Sequence, residues 1–157
     1  MSIASISAAP YVPLFKRDVR RMLEIAQVNS NDIVYDLGSG DGRMLVMAAR
    51  KFEASECVGF EISFLPYLIS KIKILLLGHN KKIKVIPKNL YTQNLKQATV
   101  ITCFLLPHAL KKLGPKFATE LKPGTRIVSY AFRIPGLKRL KKDKPNPKST
   151  AIHLYVV

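Results

Sequence analysis

Ile33-Val34-Tyr35-Asp36-Leu37-Gly38-Ser39-Gly40-Asp41-Gly42-Arg43 is the stretch that decides the fold. Its first five residues are a largely apolar run of strand length. Three glycines follow at alternating positions, Gly38, Gly40 and Gly42. Glycine lets a chain turn tightly and pass close to a ligand. Beyond the turn, Arg43 to Phe52 has helical periodicity, with Leu45, Ala48, Ala49 and Phe52 on one face. A strand that runs through a glycine turn into a helix opens a parallel α/β sheet. In such sheets ligands sit beyond the carboxyl ends of the strands.

The same alternation continues on both sides. Upstream, Phe15 to Ala26 predicts an amphipathic helix. Phe15, Val19, Met22, Leu23 and Ala26 share one face, opposite Lys16, Arg17, Arg20 and Arg21. Downstream, Cys57 to Glu61 is a second strand, Ser63 to Leu77 a helix closed by Gly78, and Ile83 to Ile86 a third strand. Thr99 to Leu105 is almost continuously apolar, as befits a strand buried on both faces. Pro107 to Leu121 is a helix that Gly114-Pro115 should kink or divide. Arg126 to Phe132 is a fifth strand, the basic segment Leu137 to Ser149 a loop, and Ala151 to Val157 a last strand. This order predicts a doubly wound α/β sheet. A flexible arm over residues 1–12 and one domain over 13–157 are expected, since 157 residues suit a single core.

Bulk properties narrow the function. Phe64 to Gly78 is the most apolar segment, but it is too short to span a bilayer and contains Lys71 and Lys73. No transmembrane segment is expected. The segment reads first as a helix packed on the sheet, and second as a membrane-surface helix. Cys57 and Cys103 sit in apolar strands and read as buried thiols of a reduced, cytoplasmic protein. His79, His108 and His153 share no ligand spacing, so no metal site is expected. The net charge of +16 is unevenly placed. Residues 1–61 hold 7 Lys/Arg against 8 Asp/Glu, whereas residues 62–157 hold 19 against 2. Such asymmetry favours an acidic partner: nucleic acid, an anionic membrane surface or an acidic protein.

The glycine spacing selects the ligand. It is G-x-G-x-G rather than the dinucleotide G-x-G-x-x-G. Asp36 precedes the turn and Asp41 lies inside it, so a pyrophosphate would be repelled. Both acids suit a cationic ligand. Glu61 ends the second strand 25 residues beyond Asp36, where a carboxylate can take two ribose hydroxyls. S-adenosylmethionine has these features: an ammonium, a sulfonium and a ribose.

On these motifs the sequence resembles the class I S-adenosylmethionine-dependent methyltransferases. More narrowly, it resembles the small lysine methyltransferases that include the archaeal broad-specificity protein-lysine enzyme and the mitochondrial enzyme acting on ATP synthase. The narrower resemblance lies in Pro10-Tyr11-Val12-Pro13, in Val58-Gly59-Phe60-Glu61-Ile62, in Phe104-Leu105-Leu106 and in Glu120 to Ser129. It implies a Rossmann-like, three-layer αβα fold whose mostly parallel sheet has an antiparallel C-terminal strand. It implies cofactor contacts at Asp36, Gly38, Ser39, Gly40, Asp41, Gly42, Glu61 and Ile62, an adenine contact at Asn89 and Leu90, and a methionyl border at Phe104 and Leu105. It also implies that Tyr11 to Pro13 fold over the cofactor; and because an aromatic face or hydroxyl can orient an amine, Tyr11 is the residue expected to line the acceptor channel. The sequence departs from the family pattern at Leu14, where Thr or Ser is common, and at Pro135-Gly136-Leu137, where an aromatic is common.

Methyl transfer needs alignment and exclusion of water more than a dedicated base. A lysine acceptor loses its proton readily in a dry pocket, because burial disfavours the charged amine. A dedicated base is thus optional, and with the step to lysine implied by the resemblance at Tyr11 to Pro13 and Phe104 to Leu106, the leading expectation is a monomeric protein-lysine N-methyltransferase without a metal. The alternatives are an RNA or small-molecule methyltransferase, and a non-catalytic domain that binds the cofactor and an acidic partner. Leu105-Leu106-Pro107 lacks the Asn/Asp-Pro-Pro-aromatic motif of enzymes that methylate base amino groups.

Overall fold

The computed structural model describes residues 11–157. The arm expected over residues 1–12 falls mostly on residues 1–10, which lie outside the described residues. Seven strands and four α-helices follow in the order α1 (Lys16–Ile25), β1 (Ile33–Leu37), α2 (Arg43–Lys51), β2 (Glu56–Phe60), α3 (Phe64–Leu76), β3 (Ile83–Ile86), β4 (Val100–Cys103), α4 (Pro107–Glu120), β5 (Arg126–Tyr130), β6 (Arg139–Asp143) and β7 (Ile152–Val156).

The strands form one sheet in the order β3-β2-β1-β4-β5-β7-β6. Strands β1 to β5 pair in parallel. β7 runs against both β5 and β6, and so provides the expected antiparallel C-terminal strand. Alternate side chains feed two cores. Val34, Val100 and Val128 point to the layer of α1 and α2, with Val19, Met22, Leu23, Leu45 and Ala48. Leu37, Ile101 and Ile127 point to the layer of α4, with Leu110, Leu113 and Phe117. This period of two on a sheet covered on both faces is the three-layer αβα fold.

Three expectations need correction. Arg139–Asp143 is a strand, not a loop. It is the outermost strand of the described sheet and pairs there with β7 alone, with a register shift at Leu140. Its basic residues face solvent on an edge, so no apolar alternation marks it.

α4 is not divided by Gly114-Pro115 and continues as one helix to Glu120. Pro115 is exposed, and so is Lys111, whose carbonyl loses its helical bond. That carbonyl can be hydrated, which removes the main cost of an internal proline. Gly114 fits because the Pro135 carbonyl oxygen lies 2.8 Å from where a Cβ would stand.

α3 does not bury its apolar bulk in the core. Its inward residues are Pro66, Ser70 and Ile74, while Phe64, Leu65, Leu68, Ile69, Ile72, Leu75 and Leu76 are exposed. The reason is proximity. Ser70 Cβ lies 3.2 Å from where a Cβ on Gly42 would stand, so only a small residue fits at position 70. Among the described residues no helix is long and apolar enough to cross a membrane.

Candidate active site

β1 and β4 are neighbours in the sheet although β2 and β3 intervene in sequence. The chain reverses its winding there, which opens a crevice at the carboxyl ends of the strands. The cleft at this point is lined by the glycine turn, the ends of β1, β2 and β4, residues 11–14, and Val19 and Met22 of α1.

The turn itself is built by backbone geometry. Gly38, Gly40 and Gly42 all have positive φ, at 83°, 54° and 82°. Gly38 N–H and Ser39 N–H both donate to the Phe60 carbonyl, at 2.9 and 3.0 Å, which clamps the turn to β2. Gly40 has a second constraint: the Tyr11 ring lies 2.9 Å from where its Cβ would stand. Tyr11 thus lies against the turn and is about half exposed. Gly59, inside β2, has Ser39 Oγ and Leu45 Cδ1 within 2.5 and 2.6 Å of a notional Cβ. A bare backbone in β2 is what lets the turn settle onto the sheet.

Two carboxylates face the cleft with different electrostatics. Asp36 is buried and accepts from Thr102 Oγ1 at 2.7 Å. Burial pushes its carboxyl up to about 7, and the nearby Glu61 and Asp41 charges add to this, opposed by the Thr102 bond. Glu61 accepts from Gly40 N–H at 2.8 Å through Oε2 and from Ser63 N–H at 2.7 Å through Oε1. These two bonds orient its carboxylate across the mouth of the turn.

Asp41 differs. It lines the cleft, but its carboxylate is paired with Arg43 at 2.8 Å and with Lys73 of α3 at 3.2 Å. The Arg43 and Lys73 cations overcome the cost of burial and hold it at about 2. Arg43 also donates to the Leu14 carbonyl, which ties residues 11–14 to the turn. Asp36 and Glu61 are therefore the carboxylates of the cleft without a paired cation among the described residues, whereas the Asp41 charge is already paired.

Most of the expected residues converge. Asp36, Gly38, Ser39, Gly40, Asp41, Glu61, Ile62, Asn89, Leu90, Phe104, Leu105 and Tyr11 all line the cleft. Gly42 does not; it caps α2 and faces Ser70 and Ile74 of α3. Sequence reasoning missed Val19, Met22, Met44 and Lys88. Val19 and Met22 lie on the core face of α1, which is also where the cleft begins. Lys88 has no signal beyond following β3. Among the described residues no three His, Cys, Asp or Glu side chains gather to hold a metal ion.

The donor set fits a cationic ligand with hydroxyl groups. No described residue places a cation beside Asp36, so nothing but the Thr102 bond opposes the burial and the Glu61 and Asp41 charges that raise its carboxyl pKa. Ser39 Oγ is buried without a hydrogen-bond partner among the described residues. A buried hydroxyl left unsatisfied in a cleft points to a missing partner.

Sheet order, turn and cleft together are those of an S-adenosylmethionine-dependent methyltransferase. The family model of the ANTKMT methyltransferase domain matches residues 36–141, and the chain belongs to that family. A protein-lysine N-methyltransferase of Saccharolobus islandicus is 41% identical over 150 residues, which cover 94% of this chain and 93% of the relative. The mouse adenine nucleotide translocase lysine N-methyltransferase is 31% identical over 80% of this chain and 54% of its own length. The chain spans about half the length of that relative, and about half the length of the Xenopus laevis and mouse lysine N-methyltransferases named for ATP synthase. Among solved structures, one described as an RNA methyltransferase from Salinibacter ruber in complex with S-adenosyl-L-homocysteine superposes with a TM-score of 0.88. It is 32% identical, covering 93% of this chain and 94% of the other.

Proposed function

We propose that this chain transfers a methyl group to the side-chain amine of lysine in proteins. The observation that carries the acceptor is the 41% identity to the Saccharolobus protein-lysine enzyme along nearly the full length of both chains. S-adenosylmethionine, when bound, supplies an electrophilic methyl on a sulfonium. Asp36 accepts from the cofactor's ammonium. Glu61 takes the ribose hydroxyls with the lone pairs that Gly40 and Ser63 leave free. Asn89 uses its side-chain oxygen on Tyr91 N–H at 2.9 Å, so its amide NH₂ is the group that can meet adenine. Phe104 and Leu105 border the site of transfer. Tyr11 and Val12, both part-exposed at the cleft, guide the acceptor in.

No general base is required of this chain. The apolar lining from Val12, Leu14, Phe104 and Leu105 disfavours a charged amine and so releases the lysine proton to solvent before attack. Residues 13–157 are the catalytic unit, with Tyr11 and Val12 as part of its rim. The reduced thiols Cys57 and Cys103, both fully buried, are consistent with a cytoplasmic enzyme.

A second reading, methylation of RNA, is favoured by the basic half and by the description of the Salinibacter structure. Labelled methyl donor and lysate decide between them. Label that survives nuclease and is lost to protease supports lysine; the reverse pattern moves the acceptor to RNA. Calorimetry with S-adenosylhomocysteine tests the cofactor roles separately. One-to-one binding weakened in Asp36→Ala and Glu61→Ala is expected, and no binding by the wild type would sink the site assignment.

A further inference from the structure

We propose that the outer face of α3 is a docking surface for an anionic lipid bilayer. It rests on the exposed residues of the helix and on charge, and is independent of which acceptor the cleft takes.

The helix is inverted relative to an ordinary surface helix. Only Pro66, Ser70 and Ile74 face in, and most of its large apolar residues face out. Phe64, Leu65 and Leu76 are 76%, 63% and 80% exposed. At 3.6 residues per turn, Phe64, Leu65, Leu68, Ile69, Ile72, Leu75 and Leu76 cover an arc of about 140°. Lys71 stands exposed at one edge; Lys73, at the other, keeps its ammonium on Asp41 at 3.2 Å. A contiguous exposed apolar patch on a folded domain marks a docking site. An apolar arc flanked by an exposed lysine is the pattern of a helix lying in a membrane interface, the Lys71 ammonium reaching the headgroups.

Positive charge beside an exposed apolar arc favours an anionic bilayer over nucleic acid, which would leave the apolar side chains in water. Between Glu61 and Glu120 the chain has no carboxylate side chain and ten lysines. A groove beside α3, against edge strand β3, is lined by Lys71, Lys84, Ile72, Leu75 and Asn80. Apolar walls with lysines suit an acyl chain beneath an anionic headgroup. A second copy of the chain is disfavoured: it would bring two lysine-edged helices together on molecules of net charge +16. The arc begins at Phe64, two residues after Ile62, which lines the cleft. A docked helix therefore holds the cleft close to the bilayer surface.

The test is sedimentation of the full chain with phosphatidylcholine vesicles, with and without phosphatidylglycerol. Binding to the anionic vesicles is expected. A variant carrying Leu65→Gln, Leu68→Gln, Ile72→Gln and Leu76→Gln should lose it by about tenfold or more. S-adenosylhomocysteine binding by the same variant should be unchanged, which shows that the domain still folds. Vesicle binding that the variant retains in full means adsorption by charge alone and overturns the proposal. Absence of binding to either vesicle overturns it as well. Dimers of the wild type that the variant dissolves assign the face to a second copy instead. Lipid-free methylation that falls in the variant assigns it to the acceptor polypeptide.

Discussion

Thr102 Oγ1 donates to Asp36 Oδ1 at 2.7 Å, and the two residues are direct register partners where β4 meets β1. The bond crosses the point where the sheet reverses its winding. It opposes the burial that pushes Asp36 up to about 7. Removing the hydroxyl while keeping the shape should raise the Asp36 carboxyl further. Thr102→Val is expected to weaken S-adenosylhomocysteine binding at neutral pH by about three- to tenfold, the scale of one charge-assisted hydrogen bond. The loss should shrink as pH rises, and titration calorimetry at neutral and alkaline pH checks it.

The wild type has its own pH dependence. An ammonium group binds the ionised form of Asp36, so affinity for S-adenosylhomocysteine should rise as pH increases through about 7 and level off above it. Asp36→Asn should bind weakly with no such rise. Stability of the cofactor-free protein goes the opposite way. A carboxyl whose folded pKa lies above its unfolded value holds its proton more tightly in the native state. Its contribution is fully present below the ordinary carboxylate range and is lost as pH rises toward about 7. Thermal melts of wild type and Asp36→Asn across that window should diverge, with the variant the more stable at neutral pH.

Asp41 has the opposite sign. Its pKa of about 2 lies below the unfolded value, so its contribution is present above the ordinary carboxylate range and disappears as pH falls through about 2. Asp41→Asn should cost about 1 kcal/mol at neutral pH, a modest figure because Arg43 and Lys73 are about a third exposed. Denaturant titrations should show the difference between wild type and variant closing in acid.

Asp18 is buried in α1 and accepts from Tyr130 Oη at 2.8 Å and from Arg21 at 3.0 Å. Arg21 also pairs with Asp143 of β6 at 2.7 Å. This chain of bonds locks α1, which carries Val19 and Met22 of the cleft, onto β5 and β6. Tyr130→Phe leaves a buried carboxylate one donor short and should cost about 1–2 kcal/mol. An unfolding midpoint that does not move would show that Arg21 alone satisfies Asp18.

Gly59→Ala places a methyl group where Ser39 Oγ and Leu45 Cδ1 already lie. The methyl would press on both the cofactor turn and α2. A stability loss of about 1–3 kcal/mol is expected, as for an overpacked core. Cofactor affinity should fall with it, whereas Gly124→Ala, at a glycine with open space around it, should leave affinity unchanged.

Much of the fold and cleft was legible because local signals agreed. β1 has the expected bounds, and eleven of the twelve expected cofactor residues line the cleft. Each sits at the end of a strand, in the glycine turn or in the residues just after it, where sequence position determines spatial position. Gly42 reads as a ligand contact in the sequence because it continues the glycine spacing. Its neighbour in space is Ser70, 28 residues downstream, which no local pattern reveals. The same holds for Asp41, whose lysine partner comes from α3.

The pattern of strand, glycine turn and acid at the end of β2 was determined by the sequence alone. So were the identity of the cofactor class and the burial of Cys57 and Cys103. These depend on backbone conformation and local hydrophobicity, which neighbouring residues dictate. Tertiary structure alone decided which face of α3 meets water, that Arg139–Asp143 closes the sheet edge, and that Asp36 sits beside Thr102 with no described cation against it. Apolar residues are drawn to a core only where there is room for them. At α3 the close approach to Gly42 left room for serine at position 70 and for Ile74 one turn on, and the other leucines and isoleucines were turned outward.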